Sequence, residues 1–323
     1  MLVLEFKDGQ GLGNQLWNYV ALRSIAKKNN YDFRLINFDN FLGKDFISLE
    51  IESTKNKIDL RKFNLYKEKK YFDQELNCFI HLYDDNIQRL PSNTILEGVL
   101  QSEKYLNPDR SVINEFIKIK EKFLSPICLK NICILNVRGG EYKSHRNLIL
   151  PKKYWIDAIK NMLCFNRKLT FKIVTDDYKY ASKLLPEYEI IEGDIKSDFM
   201  HLYFSQYSIL SNSSFAYFPT KLGAAPLKVI APNHWARFGN KHNRWVSPCN
   251  QYSDWLWQNT EGRILNKEEI DYSLSISKKI YSEYNILISE NKLKKFNLKD
   301  LLPEKLKKFL KRKLSNIFPL FIG

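Results

Sequence analysis

From Ile132 to Pro232 short apolar runs alternate with segments of helical period, and no other feature of the chain restricts its fold as much. "ICILNV" (132–137) is apolar throughout, as a strand is when helices cover both its faces. A helix led by Pro151 follows over 154–163, then a strand, "LTFKIVTDD", that ends in two acids. A helix over 178–185, a strand "YEII", a helix "DFMHLYFSQ" and a strand "YSILSNSS" continue the series. A helix over 215–224 and the strand "LKVIAP" close it. Repeated β–α–β units bury both kinds of element when the strands lie parallel between two helix layers. A doubly wound α/β sheet is therefore expected.

The first part of the chain opens in the same way. Residues 3–6 form an apolar strand, "GQGLG" (9–13) a glycine turn, 14–28 an amphipathic helix and 32–36 a second strand. The stretch to about residue 70 is polar and without clear period, which predicts loop with short elements. "TILEGVL" (94–100) reads as a strand, and Val112, Phe116, Ile119 and Phe123 recur at helical spacing. A break near 129–131 divides the chain into one α/β unit over 1–130 and a second over 131–265. C-terminal helices and a basic tail then occupy 266–323.

With 323 residues the chain is long enough to bury two cores. No window approaches the ~18–20 apolar residues of a membrane span. The start lacks a basic region and reads as a first strand rather than a signal peptide. Five scattered cysteines without CxxC spacing are expected as reduced, mostly buried thiols, with no zinc site. The net charge of +15 is uneven: between Lys292 and Lys313, ten Lys/Arg outweigh Asp300 and Glu304 by eight. A nucleic-acid protein carries its charge on a folded face interleaved with aromatics, so no nucleic-acid partner is expected. In the tail, Leu306, Phe309, Leu310, Leu314, Ile317 and Phe318 fall near one helical face, opposite lysines. That pattern suits an interfacial helix on an anionic membrane, or an amphipathic helix packed on the body.

Ligands of doubly wound sheets sit beyond the carboxyl ends of the strands. Here those ends are residues 9–14, 136–142, 175–177 and 212–214. The glycines of the first turn stand at first, third and fifth places, which is not the dinucleotide fingerprint. Gly11 and Gly13 still leave the N–H groups at the helix start near Asn14 open to an anion, unless the turn is simply tight. Arg138 follows its buried strand directly. It suits a bidentate clamp on a diphosphate, or a structural pair with Glu141. Glu141 is otherwise a candidate acid–base carboxylate. His145 and Arg146 are a second cationic pair or solvated loop. Asp176 and Asp177 can bind a metal, cap the next helix, or accept from a guanine N1–H and N2–H. Asn212, Ser213 and Ser214 suit phosphate oxygens or an N-cap.

Taken together these stretches resemble glycosyltransferase family 11, the bacterial and animal α-1,2-fucosyltransferases. "GQGLGNQLWNY" is similar to that family's GGLGNQLFQYA, and "LEGVLQSEKY" to its GYxQSEKYF. "NVRGGEY" with "LPKKYWIDAI" resembles HVRRGDY with LPxxYYxxAI, and "VTDDYKYA" resembles FSDDxxW. "SNSSFAYFPTKLGA" is similar to NSSFSWWAAWL and "KVIAPNHWAR" to VxxPxxW, so the matches run in order over about residues 5–240. The resemblance implies a GT-B architecture, two Rossmann-like α/β domains facing a central cleft, with the acceptor on the first and GDP on the second. It implies inverting transfer of fucose from GDP-β-L-fucose to a sugar hydroxyl, with no obligatory metal. By matched position Arg138 holds the β-phosphate and Ser213 and Ser214 support the diphosphate. Asp177, with Asp176 beside it, reads guanine, and Glu141 stands where the family orients or deprotonates the acceptor.

Two positions depart from the pattern: Asn136 replaces the family's His, and Gly139 its second Arg. Asn136 keeps hydrogen-bonding capacity for the donor, but one cation is lost. A related donor such as GDP-colitose, or a non-catalytic binding protein on the same fold, stays open. The expectation is a cytosolic-face enzyme, held peripherally at the membrane by residues 300–323. Its acceptor would be a lipid-linked or surface glycan such as lipopolysaccharide or capsule.

Overall fold

The structure is a computed structural model that describes residues 1–53, 58–106, 110–125, 127, 129–223, 227–247, 250–285 and 294–295. The basic tail over 300–323, and with it the membrane expectation, lies outside the described residues. The first unit runs β1 (Leu2–Glu5), α1 (Leu12–Asn29), β2 (Phe33–Ile36), β3 (Ile47–Leu49), β4 (Asn64–Lys67), β5 (Lys70–Asp73), β6 (Cys78–His81), β7 (Thr94–Glu97), α2 (Arg110–Phe116) and β8 (Ile117–Ile119). The second runs β9 (Ile132–Val137), α3 (Lys152–Phe165), β10 (Thr170–Thr175), α4 (Tyr178–Leu184), β11 (Glu189–Ile190), α5 (Ile195–Phe204), β12 (Tyr207–Leu210), α6 (Tyr217–Leu222), β13 (Lys228–Pro232) and β14 (Leu256–Gln258). Then come α7 (Lys267–Asn285) and β15 (Lys294–Lys295).

The second sheet has the order β11-β10-β9-β12-β13-β14, parallel throughout. Counted along the unit this is 3-2-1-4-5-6, the doubly wound arrangement, which reverses direction between β9 and β12. The first sheet has the order β15-β4-β7-β1-β2, parallel from β4 to β2, and it reverses between β1 and β7. The two reversals face each other. The protein is thus two Rossmann-like α/β units around a central cleft, the GT-B arrangement.

Four details differ from the sequence expectation. The polar stretch before residue 70 supplies β4, a sheet strand paired with β7. The helical spacing at Val112, Phe116, Ile119 and Phe123 ends early: α2 stops at Phe116 and the chain continues as β8, paired with β3. Within the C-terminal segment, expected as helices and tail, residues 294–295 form a strand, β15, that pairs antiparallel with β4 of the first sheet. Finally, α1 is not amphipathic but buried nearly all round, including Gln15, Trp17 and Asn18. It lies between the first sheet and the second unit, where Trp17 meets Tyr217 with ring centroids 4.2 Å apart. Gln15 donates to Asn40 O and accepts from Leu42 N–H, and Asn18 donates to Gly98 O while its own Oδ1 is buried without a partner. One apolar cluster consequently runs from Leu2 through Trp17 and Tyr217 to Trp257, across both units.

Candidate functional site

A cavity of about 860 Å³ opens between the carboxyl ends of the two sheets. The residues after β1 and β7 form one wall. Those after β9, β10, β12 and β13, with the start of α5, form the other. This is where a ligand of a doubly wound sheet belongs.

Arg138 leaves β9 at the reversal point and lines the cavity. Its guanidinium pairs with Asp176 at 3.1 Å, and that carboxylate also accepts the Gly139 N–H at 2.9 Å. Asp176 can lie there because Gly140 has no side chain: a Cβ would come within 2.4 Å of its oxygen. A side chain at Gly139 would likewise meet the Tyr180 ring at 2.6 Å. The space that a side chain at position 139 would take is therefore filled by an aromatic packed from α4. Arg138 Nε is buried without a hydrogen-bond partner. A guanidinium at the cavity wall can meet two oxygens of one phosphate with two parallel bonds.

Several expected residues take other places. Asp177 N-caps α4 by accepting the Tyr180 N–H at 3.0 Å, pairs with Lys143, and does not line the cavity. Lys143 holds its carboxyl below the usual carboxylate range. Asn136 is buried within β9, where its carbonyl accepts from Ser211 beneath the cleft floor. Ser213 caps the short 3₁₀ turn that starts at Ser214. Asn212, Ser213 and Ser214 all reach the cavity, and both amide atoms of buried Asn212 lack a hydrogen-bond partner. Glu141 lines the same wall, exposed, with no hydrogen bond or ion pair among the described residues. His145 and Arg146 are exposed and outside the cavity.

The opposite wall is the start of α1. Gly11, at its N-cap position, offers no side-chain cap, and no acid stands in the first turn. The first N–H groups and the positive end of the helix dipole therefore face the cleft. Gly13 has a different reason. A Cβ there would meet the backbone of Ser214 and Phe215 at 2.4 Å, so this glycine lets the two units touch backbone to backbone. Asn14 locks the contact, accepting from Ser214 Oγ at 2.7 Å and from Gln101 at 2.6 Å. Asn250 in turn donates to Gln101 at 3.2 Å. Ser214 and Asn14 thus bridge the units.

Sequence reasoning missed three further cavity residues. Asp198, in the first turn of α5, is 7% exposed. Burial pushes its carboxyl up to about 7 against the pull of Arg138, with Asp176 and Asp194 adding to the rise. Arg237, in "NHWAR", brings a second guanidinium into the cavity and donates to Ala236 O. His81 reaches it from the end of β6. Asp198 lay inside a helical pattern, His81 in isolation, and Arg237 at the end of "KVIAPNHWAR", a stretch quoted without singling it out.

No protein-family model matches the chain, and no curated protein matches it in sequence. Among solved structures the fold is similar to that of the α-1,6-fucosyltransferase NodZ soaked with GDP-fucose. The two are 13% identical over 69% of this chain and 92% of that one, with a TM-score of 0.38. NodZ from Bradyrhizobium matches at 12% identity, 69% and 93% coverage and a TM-score of 0.41. The E. coli heptosyltransferase WaaC with ADP matches at 9% identity, 88% and 99% coverage and a TM-score of 0.42.

Proposed function

We propose that the protein is a glycosyltransferase that moves L-fucose from GDP-β-L-fucose, with inversion, to a sugar hydroxyl of a lipid-linked or surface glycan, forming an α-1,2 linkage. The observation that carries this is the pairing of two anion-seeking elements across one cleft. Arg138, aligned by Asp176, faces the uncapped N-terminus of α1. A sugar nucleotide presents a diphosphate to both. Arg138 and Arg237 neutralise the charge that gathers on the departing GDP, a task the reading gives to arginines rather than to a metal ion. Heats of binding for GDP, GDP-fucose and UDP, measured without added metal, test it. Binding of GDP and GDP-fucose but not UDP is expected, and no response to GDP overturns the proposal.

The base is read by a carboxylate. With Asp177 capping a helix, Asp176 holding Arg138 and Asp194 capping α5, the cavity carboxylates left are exposed Glu141 and buried Asp198. The buried one accepts from guanine N1–H and N2–H. Only its ionised form is an acceptor for both. With the carboxyl at about 7, GDP affinity should fall up to tenfold per unit as the pH drops below 7 and level off above it. Stability runs the other way. The folded form holds this proton from about pH 4 to 7 while the unfolded chain has lost it, so stability falls as pH rises through that window. In Asp198→Asn we expect GDP binding to weaken and its pH step to vanish, with the thermal transition at pH 8 raised. An unchanged pH step in that variant would sink the assignment.

A further inference from the structure

If the cleft transfers a sugar, the hydroxyl that attacks must lose a proton. Of the carboxylates that line the donor wall, Asp176 holds Arg138, Asp194 caps α5 and Asp198 is assigned to guanine, which leaves exposed Glu141. The acceptor wall holds a better-fixed group. His81, the last residue of β6, lines the cavity beside Phe79 and Val99. Its Nδ1 lies 3.2 Å from Oε2 of Glu68, a side chain that is 2% exposed against 27% for the imidazole. That same oxygen accepts the N–H groups of Val99 at 2.8 Å and Leu100 at 3.1 Å. An oxygen already accepting two N–H bonds accepts the third as well, so Nδ1 carries the proton and Nε2 is the basic nitrogen.

The surroundings are built for this pair. Gly98 has no side chain where a Cβ would lie 2.6 Å from Glu68 Cβ and 2.8 Å from Oε2. Asn18 of α1 holds the Gly98 carbonyl at 3.0 Å, so the loop that orients Glu68 is tied to the interface helix. The His81 N–H donates to Ser247 Oγ at 3.3 Å, which anchors the backbone of β6 to the second unit. The backbone of His81 is thus tied to the second unit and its imidazole to Glu68 of the first. Phe79, 53% exposed and two residues before it on β6, lines the cavity as well.

Resting on the transferase proposal, we infer that His81 is the general base for the acceptor hydroxyl and that Glu68 is its positioning residue. The acceptor oxygen attacks the anomeric carbon from the side opposite the diphosphate. As the new C–O bond forms, the bond from that carbon to the phosphate oxygen breaks, and its electron pair leaves on GDP. The hydroxyl proton passes to His81 Nε2. The imidazolium, facing Glu68, then releases it to water. This is the carboxylate–histidine logic of other nucleophile-activating sites, applied to a sugar hydroxyl.

Water serves as the acceptor in the test, so the natural glycan need not be known. GDP release from GDP-fucose is measured for the unaltered chain, His81→Ala and His81→Gln, with calorimetric GDP-fucose binding for each. We expect turnover to fall about 100-fold or more in both variants, with GDP-fucose affinity unchanged. Added imidazole should restore part of the rate in His81→Ala alone. Turnover retained in the variants, a loss matched by lost GDP-fucose binding, or no rescue overturns the assignment of His81. If the unaltered chain binds GDP-fucose but never releases GDP from it, the transferase proposal itself falls.

Discussion

Arg138→Ala is expected to lower GDP release from GDP-fucose at least about 100-fold, some 2.7–4 kcal/mol of transition-state stabilisation. The size follows from where the guanidinium sits. It is held by Asp176 at 3.1 Å, so it needs no reorganisation when charge builds on the leaving phosphate. Its buried Nε has no protein partner to give up. GDP binding should weaken less than turnover, because the α1 N-terminus and Arg237 remain in the cavity. Arg138→Lys should recover only part of the loss, since an ammonium cannot form two parallel bonds. Folding is checked by the thermal transition, which should change little: the guanidinium is 22% exposed and Asp176 keeps the Gly139 N–H. Turnover within a factor of about three of the unaltered chain would remove Arg138 from the site.

The same residue shows what was legible in the sequence. A charged side chain directly after a fully apolar strand has one place to go, the carboxyl edge of the sheet, and Arg138 is there. The alternation after Ile132 was equally plain, because strands buried on both faces and Pro-led helices carry strong local signals. What failed was whatever depended on a distant partner. The strand β4 is flanked by lysines and glutamate and looks polar, yet it pairs with β7 inside a sheet. The period through Ile119 and Phe123 is that of a helix, but pairing with β3 pulls residues 117–119 into a strand. Asp198 and His81 sit at unremarkable local positions. Only the folding of α5 and of the β5–β6 hairpin against the cleft brings them to it. Asp176 and Asp177 divided their tasks in a way adjacency alone does not fix: one turned to Arg138, the other to the N-terminus of α4.

The opening glycines give the second large effect, and they separate structure from binding. Gly13→Ala puts a methyl group within 2.4 Å of Phe215 N and the Ser214 carbonyl carbon, and 2.6 Å from the Ser214 oxygen. All three atoms are backbone, so no side chain can swing aside. The start of α1 must retreat or the 3₁₀ turn at Ser214 must move. Either shift strains the Asn14 bonds to Ser214 and Gln101 that join the units. Overpacking of this kind costs about 2–3 kcal/mol, which for a chain of this size lowers Tm by about 3–5 °C. Turnover should fall with it, because Arg138 and the α1 N-terminus then no longer share one geometry. Gly11→Ala is the contrast. Its backbone is extended at φ −65° and ψ 151°, and a Cβ there meets nothing within 4 Å. That variant should melt like the unaltered chain, while its methyl group enters the cleft and weakens GDP binding. A Gly13→Ala protein with unchanged Tm would mean that the two units do not depend on this contact. If Gly11→Ala binds GDP normally, the diphosphate does not lie against the start of α1.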